Sequence, residues 1–125
     1  MVEHVGRRSG QPRFVCLEVV ERTRPESVVI VSGFGEHAEW YRNLLAHPAC
    51  FVSIGRLKRV PAQARFMTSS EASAALGRYQ SAHPAAWDRL QRAIEKATGH
   101  PVEQLPMVEL LLDLDCTGAG SPQDA

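Results

Sequence analysis

The chain has 125 residues, of which 44% are hydrophobic and 22% are charged, and its 14 lysines and arginines balance its 14 aspartates and glutamates. This length supports one hydrophobic core, and the zero net charge excludes a general attraction to nucleic acid or to an anionic membrane, so any anion site must be local. No apolar run is long enough to cross a bilayer, and the charged N-terminus lacks the apolar segment of a secretory signal, so we expect a cytoplasmic protein without an integral membrane segment.

The first distinctive segment is arginine-rich. Arg7, Arg8 and Arg13 lie within residues 6–13, together with two glycines. Guanidinium groups on a bend suit a phosphate or a carboxylate, because both can be bound bidentately. The alternative interpretation is a basic turn that only contacts solvent.

Two strands are predicted next, over residues 14–21 and 27–32, with a hairpin across the polar residues 22–26. The run Val28-Val29-Ile30-Val31 is β-branched and unbroken, which is typical of a strand that is buried on both faces.

A glycine loop, Ser32-Gly33-Phe34-Gly35, connects this strand to a predicted helix that Pro48 ends. Backbone N–H groups are unpaired at a helix N-terminus, and the helix dipole is positive there, so this junction can hold a phosphate, a carboxylate or the carbonyl edge of a ring. The alternative is that the glycines only permit a tight turn.

One face of that helix carries an unusual residue. Trp40, Asn43, Leu44 and His47 recur at helical spacing, so an amide shares the apolar face. A buried amide needs hydrogen-bond partners. Asn43 is therefore expected either to cap the backbone of a neighbouring loop or to contact a ligand.

Two more strands, over residues 50–54 and 58–66, are predicted to pair across Gly55-Arg56. In the second of them, residues 60, 62, 64 and 66 alternate with a polar set, and Pro61 predicts an edge strand or a bulge.

Two helices follow. Thr68 and Glu71 form a capping box before the first of them, and Pro84 opens the second, which Gly99 and Pro101 close. The expected buried faces are Ala72, Ala75, Leu76 and Tyr79 in the first helix, and Trp87, Leu90, Ile94 and Ala97 in the second.

Residues 106–113 predict a last strand, and residues 114–125 predict a disordered tail. Long hairpins with helices inserted late in the chain indicate an α+β barrel, in a single domain over residues 1–113.

Cysteines and histidines give no metal signature. Cys16, Cys50 and Cys116 are odd in number and far apart, and they are predicted to be reduced thiols in the core. His37, His47, His83 and His100 are scattered, so no metal site is predicted.

The order of these segments resembles a known family. Gly-Arg-Arg-Ser-Gly, a hairpin, Ser-Gly-x-Gly and then Trp-Tyr-Arg-Asn-Leu-Leu-Ala-His-Pro are similar to the deazaflavin-dependent nitroreductase family, over about residues 5–113. The resemblance implies an FMN-binding split-barrel-like fold, a split β-barrel with peripheral helices. It also implies coenzyme F(420), an 8-hydroxy-5-deazaflavin with a phosphate and an oligoglutamate tail.

The resemblance carries over to individual positions. It implies that the arginines face the anionic tail, that the glycine loop holds the phosphate or the ring, and that the helix supports the bound cofactor. The implied cofactor-binding set is Arg7, Arg8, Ser9, Gly10, Arg13, Ser32, Gly33, Phe34, Gly35, Trp40 and Asn43.

Two features depart from the family pattern. Members of the family often have Gly-Gly where this chain has Phe34-Gly35, and the residues that follow, Glu36-His37-Ala38-Glu39, are more acidic. Many relatives also use an N-terminal helix to cover the substrate, whereas this chain begins almost at the arginine segment, so the substrate side is expected to be open or supplied by a partner.

The function implied is an oxidoreductase that passes hydride from the reduced deazaflavin to a quinone, a nitro compound or an activated alkene. The implied partner is a small-molecule electron acceptor, the expected oligomeric state is a monomer or a homodimer, and no catalytic side chain is assigned. The alternatives are an FMN-dependent reductase of the same fold and a non-catalytic carrier of a cofactor or lipid.

Overall fold

Seven strands and three α-helices make up the described residues, 1–33, 35–99 and 105–114, of the computed structural model. A short 3-10 turn over Gly35–His37 precedes the first helix. In chain order the elements are β1 (Val2–Val5), β2 (Pro12–Val15), β3 (Val19–Arg24), β4 (Ser27–Val31), α1 (Glu39–Ala46), β5 (Ala49–Ile54), β6 (Leu57–Phe66), α2 (Ser69–Ala82), α3 (Pro84–Thr98) and β7 (Met107–Leu112).

The strands form one antiparallel sheet in the order β2-β1-β5-β6-β7-β4-β3. Its two outermost strands, β2 and β3, are consecutive in the chain and are separated only by residues 16–18. The four residue steps from the end of β2 to the start of β3 span about 14 Å at most, so the sheet must curl until its two edges approach each other. Because no pairing joins β2 to β3 in the described part of the chain, the structure is a split barrel, and we call the gap between these strands the seam. The α+β split-barrel prediction is confirmed.

Strand β4 is buried on both faces, as its unbroken β-branched run predicts. Val28 and Ile30 belong to one hydrophobic cluster, the inner core, which also contains residues of β1, β5, β6, β7 and α1. Val29 and Val31 belong to a second cluster, the outer core, in which helices α2 and α3 cover the sheet. The strand is therefore sandwiched between the two cores.

The predicted strand over residues 14–21 is wrong, because it is divided between two edges of the sheet. Its first part lies in β2, which pairs with β1, and its last part lies in β3, which pairs with β4. The apolar pattern is continuous across the seam, whereas the hydrogen bonding is not. Strand β1 was not predicted, because only four residues form it and its two valines are separated by two adjacent polar residues.

Pro61 does not mark an edge strand, since β6 lies between β5 and β7. Its carbonyl accepts a hydrogen bond from the N–H of Asp113, which follows β7. In an antiparallel strand the N–H and C=O of one residue point to the same side, so the nitrogen of Pro61 also points toward β7. Pro61 lies at the end of the β6–β7 ladder, where a residue without an N–H is tolerated.

The helix predictions are confirmed in their bounds and caps. Thr68 and Glu71 form the capping box of α2, Pro84 opens α3, and Gly99 ends it in a left-handed conformation at φ 76°. Ala97, expected on the buried face of α3, is exposed. Cys16 is also exposed, contrary to the expectation of a core thiol, whereas Cys50 is buried.

Several predictions fall outside the described residues, namely Phe34, His100, Pro101, Cys116 and the tail from residue 115. Leu114, the first residue of the predicted tail, packs against the inner core. Within the described residues, each helix is too short or too polar to span a bilayer.

Candidate functional site

A cavity of about 1110 Å³ borders the chain segment that crosses the seam. Its wall is formed by the β1–β2 hairpin, residues 16–18, the end of β4, the start of α1 and one face of α3. Of the predicted cofactor-binding set, the cavity is lined by Arg7, Arg8, Ser9, Arg13, Gly33, Trp40 and Asn43.

The turn between β1 and β2 presents the arginines. Gly6 donates its N–H to the carbonyl of Gln11 at 2.9 Å, and Gly10 donates to the carbonyl of Gly6 at 2.8 Å. The Ser9 hydroxyl accepts from the N–H of Gln11 at 3.1 Å, so it stabilises the turn itself. A Cβ on Gly6 would lie 2.7 Å from Ser9 Oγ, which is closer than Cβ atoms approach other atoms. Gly10 adopts φ 71° and does not line the cavity.

Arg7 is already bound by other groups of the chain. Asn43 Oδ1 accepts its backbone N–H at 3.0 Å and its Nη1 at 2.8 Å, and Nη1 also contacts Glu39 Oε1 at 2.9 Å. The hydrogen bond from Arg7 lowers the pKa of Glu39, followed by the charge of the same guanidinium. Of the two interpretations of Asn43, the cap on a neighbouring loop is the one that these hydrogen bonds favour.

Arg8 and Arg13 differ from Arg7. Both are exposed and line the cavity, and neither side chain forms a hydrogen bond or a salt bridge with the described residues. Their guanidinium groups are therefore available to an anion in the cavity.

The glycine loop contributes less than its sequence suggests. The Ser32 hydroxyl donates to the carbonyl of Gly35, the Ser32 N–H donates to the carbonyl of Pro106 at 2.9 Å, and Ser32 is fully buried. Neither Ser32 nor Gly35 lines the cavity. Gly33 does, and a Cβ there would lie 3.1 Å from Cγ1 of Ile94 in α3. The glycine is thus needed for the close packing of the loop on α3.

The start of α1 also faces the cavity. Ala38, Glu39 and Trp40 line it, and Ala38 provides no side-chain cap for the helix. Trp40 is buried and stacks edge-on against Tyr41, with ring centroids 5.8 Å apart. This packing fixes the indole in the wall.

Two contributions to the wall were missed by the sequence analysis. Helix α3 supplies Leu90, Ala93 and Ile94, and β1 supplies His4. His4 is 4% exposed, and its Nδ1 lies 3.1 Å from Asn43 Nδ2. Burial lowers the pKa of His4, and the charge of Arg13 lowers it further. The only sequence signal for His4 is that a polar residue lies on the inward face of β1. This strand has four residues and is too short to be predicted.

No cluster of three potential metal ligands occurs among the residues that the structure describes. Besides the arginines and His4, the ionisable side chains that line the cavity are Cys16, Glu18, His37 and Glu39.

The fold is similar to those of solved structures. One, described as a domain-swapped dimer, has 24% sequence identity and a TM-score of 0.61 over 87% of this chain and 76% of the other. Another, described as an F420-H2 dependent reductase (FDR-A), has 23% identity and a TM-score of 0.59 over 87% of this chain and 90% of the other. No protein of curated function matches the chain.

A family model extends the likeness from fold to sequence. The model described as F420H(2)-dependent quinone reductase matches residues 1–98, which contain the arginine turn, the glycine loop and α1 to α3. This match confirms the resemblance to deazaflavin-dependent reductases. The chain belongs to the F420H(2)-dependent quinone reductase family.

Proposed function

We propose that the cavity binds coenzyme F(420) and that the protein uses the reduced coenzyme to reduce a quinone. The observation that carries the proposal is the lining of the cavity, which combines the guanidinium groups of Arg8 and Arg13 with apolar side chains from the seam and from α3. A deazaflavin with an anionic tail has the same two-part character.

The arginine side chains fit the tail. The guanidinium groups of Arg8 and Arg13 have no hydrogen-bond or salt-bridge partner within the described residues, and both residues border the cavity. Exposed guanidiniums bind phosphate and carboxylate groups through charge-assisted hydrogen bonds. Arg7 lies beside them but is partly neutralised by Glu39, so it contributes less to anion binding.

The apolar side chains of the lining fit a planar ring. The cavity is lined by Val15, Leu17, Val31, Leu90 and Ile94, which come from both sides of the seam and from α3. The volume of about 1110 Å³ is slightly larger than that of most ligand sites, which leaves room for a second ring beside the first.

The chemistry that a bound reduced deazaflavin supplies is hydride transfer from its C5. The residues of this chain then have three tasks. The arginines hold the anionic tail, Trp40 and the wall of α3 orient the ring, and the apolar lining excludes water from the reacting carbon.

The proposal is tested by titration and by turnover. The purified protein should bind coenzyme F(420) more tightly than FMN, because FMN has a phosphate but no glutamate tail. Reduced F(420) should be oxidised by a soluble naphthoquinone only when the protein is present. Tighter binding of FMN would favour the FMN-dependent reductase, and binding without turnover would favour the carrier.

A further inference from the structure

His4 occupies an unusual position for a polar residue. It lies in the middle of β1, next to Val5 and two residues from Val2, on the face of the strand that is buried. Only 4% of its surface is exposed, and it borders the cavity. A buried imidazole needs partners for both of its nitrogens.

The hydrogen bonds of Asn43 determine how this imidazole is protonated. Asn43 Oδ1 accepts two hydrogen bonds from Arg7, one from the backbone N–H and one from the guanidinium. Neither of these groups can accept a hydrogen bond, so the amide cannot be turned round. Its Nδ2 therefore donates to His4 Nδ1 at 3.1 Å.

A nitrogen that accepts a hydrogen bond carries no proton, so neutral His4 has its proton on Nε2. In the imidazolium form, the Nδ1–H of His4 and the Nδ2–H of Asn43 would be two donors that point at each other without an acceptor. Neighbouring positive charges also oppose the imidazolium. Arg13 is the partner of His4 in the β1–β2 ladder, and Arg7 is bound to the same amide. The nearby carboxylate of Glu39 is already paired with Arg7.

The Nε2–H has no hydrogen-bond partner among the described residues. A buried donor without a partner destabilises the structure unless water or a ligand satisfies it. His4 borders the cavity, so a ligand bound there can supply this acceptor.

We propose that His4 donates its Nε2–H to a carbonyl oxygen of a ring bound in the cavity and so selects ligands that present an acceptor at this place. The proposal rests on the proposed function, because the ring is either the deazaflavin or the quinone. Trp40 is the other buried residue of the lining whose side-chain N–H has no partner among the described residues, and its indole packs edge-on against Tyr41.

Two substitutions separate the two nitrogens. His4→Asn places an amide oxygen near the position of Nδ1, so it keeps the acceptor for Asn43 and removes the donor at Nε2. His4→Gln places an amide nitrogen near the position of Nε2, so it keeps the donor and removes the acceptor. Each variant is titrated with coenzyme F(420) and, separately, with a soluble naphthoquinone.

We expect His4→Asn to weaken the binding of one of these ligands about tenfold, and His4→Gln to retain wild-type affinity for it within about threefold. A loss for F(420) identifies the deazaflavin carbonyl as the acceptor, and a loss for the naphthoquinone alone identifies the quinone oxygen. Equal affinities of wild type and His4→Asn for both ligands would overturn the proposal.

A measurement on the unmodified protein tests His4 independently of folding defects in the variants. Long-range ¹⁵N–¹H NMR correlations at pH 7 should show the neutral Nε2–H form, and the Nε2 proton should shift when the ligand is added. An Nδ1–H form, an imidazolium or an unmoved proton would overturn the proposal. If the wild type does not bind F(420), the proposed function fails, and the His4 assignment is decided by the tautomer and by the shift on adding the naphthoquinone.

Discussion

Asn43 holds Arg7 twice, because a single amide oxygen accepts both the backbone N–H and the guanidinium of that arginine. These two bonds attach the arginine turn to helix α1 across 36 positions of sequence. They make Asn43 part of the scaffold that positions the site.

Replacing Asn43 with leucine should destabilise the protein. The change leaves the Arg7 N–H and His4 Nδ1 without partners in a part-buried place, which costs about 2 kcal/mol. Thermal unfolding should show a melting temperature lower by roughly 5 to 10 °C. Asn43→Asp is the matched control, because it keeps the acceptor for Arg7 and should lose less. An unchanged melting temperature in Asn43→Leu would contradict the scaffold role.

The stability of the fold should depend on the protonation of His4. The pKa of His4 is lowered in the folded state, so the unfolded chain binds more protons at pH values between the folded pKa and the ordinary value of 6.5. Stability from this residue is fully present above 6.5 and is lost as the pH falls toward the folded pKa. The slope cannot exceed about 1.4 kcal/mol per pH unit, the value for one proton.

Denaturant unfolding at a series of pH values between 7.5 and 5 checks this dependence. His4→Asn is the control, because asparagine does not titrate and its curve should lack the His4 contribution. Identical pH dependence in the two proteins would show that His4 does not titrate differently on folding.

The unpaired arginines should affect binding without affecting stability. Arg8→Ala and Arg13→Ala should each weaken binding of coenzyme F(420) about tenfold or more, because a charge-assisted hydrogen bond contributes about 1.5 to 3 kcal/mol. Neither should change the melting temperature, since neither side chain has a hydrogen-bond partner in the described part of the protein. Arg7→Ala should lower the melting temperature, because its guanidinium is bound by Asn43 and Glu39.

Arg56→Ala is the charge-matched control for this series, because Arg56 is exposed at the β5–β6 turn and does not line the cavity. Titration with FMN provides a second comparison, since loss of a tail contact should weaken F(420) binding more than FMN binding. Equal losses for both ligands would place Arg8 and Arg13 at the phosphate.

Neutralising Glu39 should strengthen the binding of a polyanion. Glu39 borders the cavity and accepts a hydrogen bond from Arg7, so Glu39→Gln removes a negative charge and frees part of the guanidinium. The affinity for F(420) should rise about three- to tenfold at low salt and by less at high salt, because exposed charges are screened. Glu36→Gln removes the same charge from an exposed residue outside the lining and should have a smaller effect. Equal effects of the two variants would mean that only net charge matters.

The contact between the glycine loop and α3 should be sensitive to one methyl group. Gly33→Ala places a Cβ 3.1 Å from Ile94 Cγ1, so it should destabilise the fold by about 1 kcal/mol or more. In the double variant Gly33→Ala/Ile94→Ala the new methyl group has room. The cost of the glycine change should therefore be smaller in that background, which a double-mutant cycle of unfolding free energies measures. If the free-energy costs of Gly33→Ala and Ile94→Ala simply add, the new methyl group does not clash with Ile94.

The sequence predicted those elements whose signals are residues close together in the chain. The β-branched run of β4, the capping box at Thr68 and the boundaries of α3 at Pro84 and Gly99 depend on residues close together in sequence. The arginine turn and Trp40 were also found, because their residue types and spacing are unusual. All of these features lie on the cavity or support its walls.

Long-range relationships could not be predicted in the same way. Residues 14–21 form a continuous apolar pattern, but the sheet edges separate them, and that depends on pairings with β1 and β4. The roles of His4 and Asn43 depend on a hydrogen bond between residues 39 positions apart. Helix α3 showed its amphipathic face in sequence, but nothing local indicates that Leu90 and Ile94 line a cavity as well as a core.

The position of β7 has a consequence for biosynthesis. This strand, the last in the described part of the chain, inserts between β4 and β6, which were made much earlier. Until residues 107–112 have left the ribosome, β4 can pair only with β3, and the apolar faces of β4 and β6 have no strand between them. The nascent chain must therefore carry the unpaired edge of β4, and later that of β6 as well, until β7 is available, which exposes it to aggregation and favours protection by chaperones.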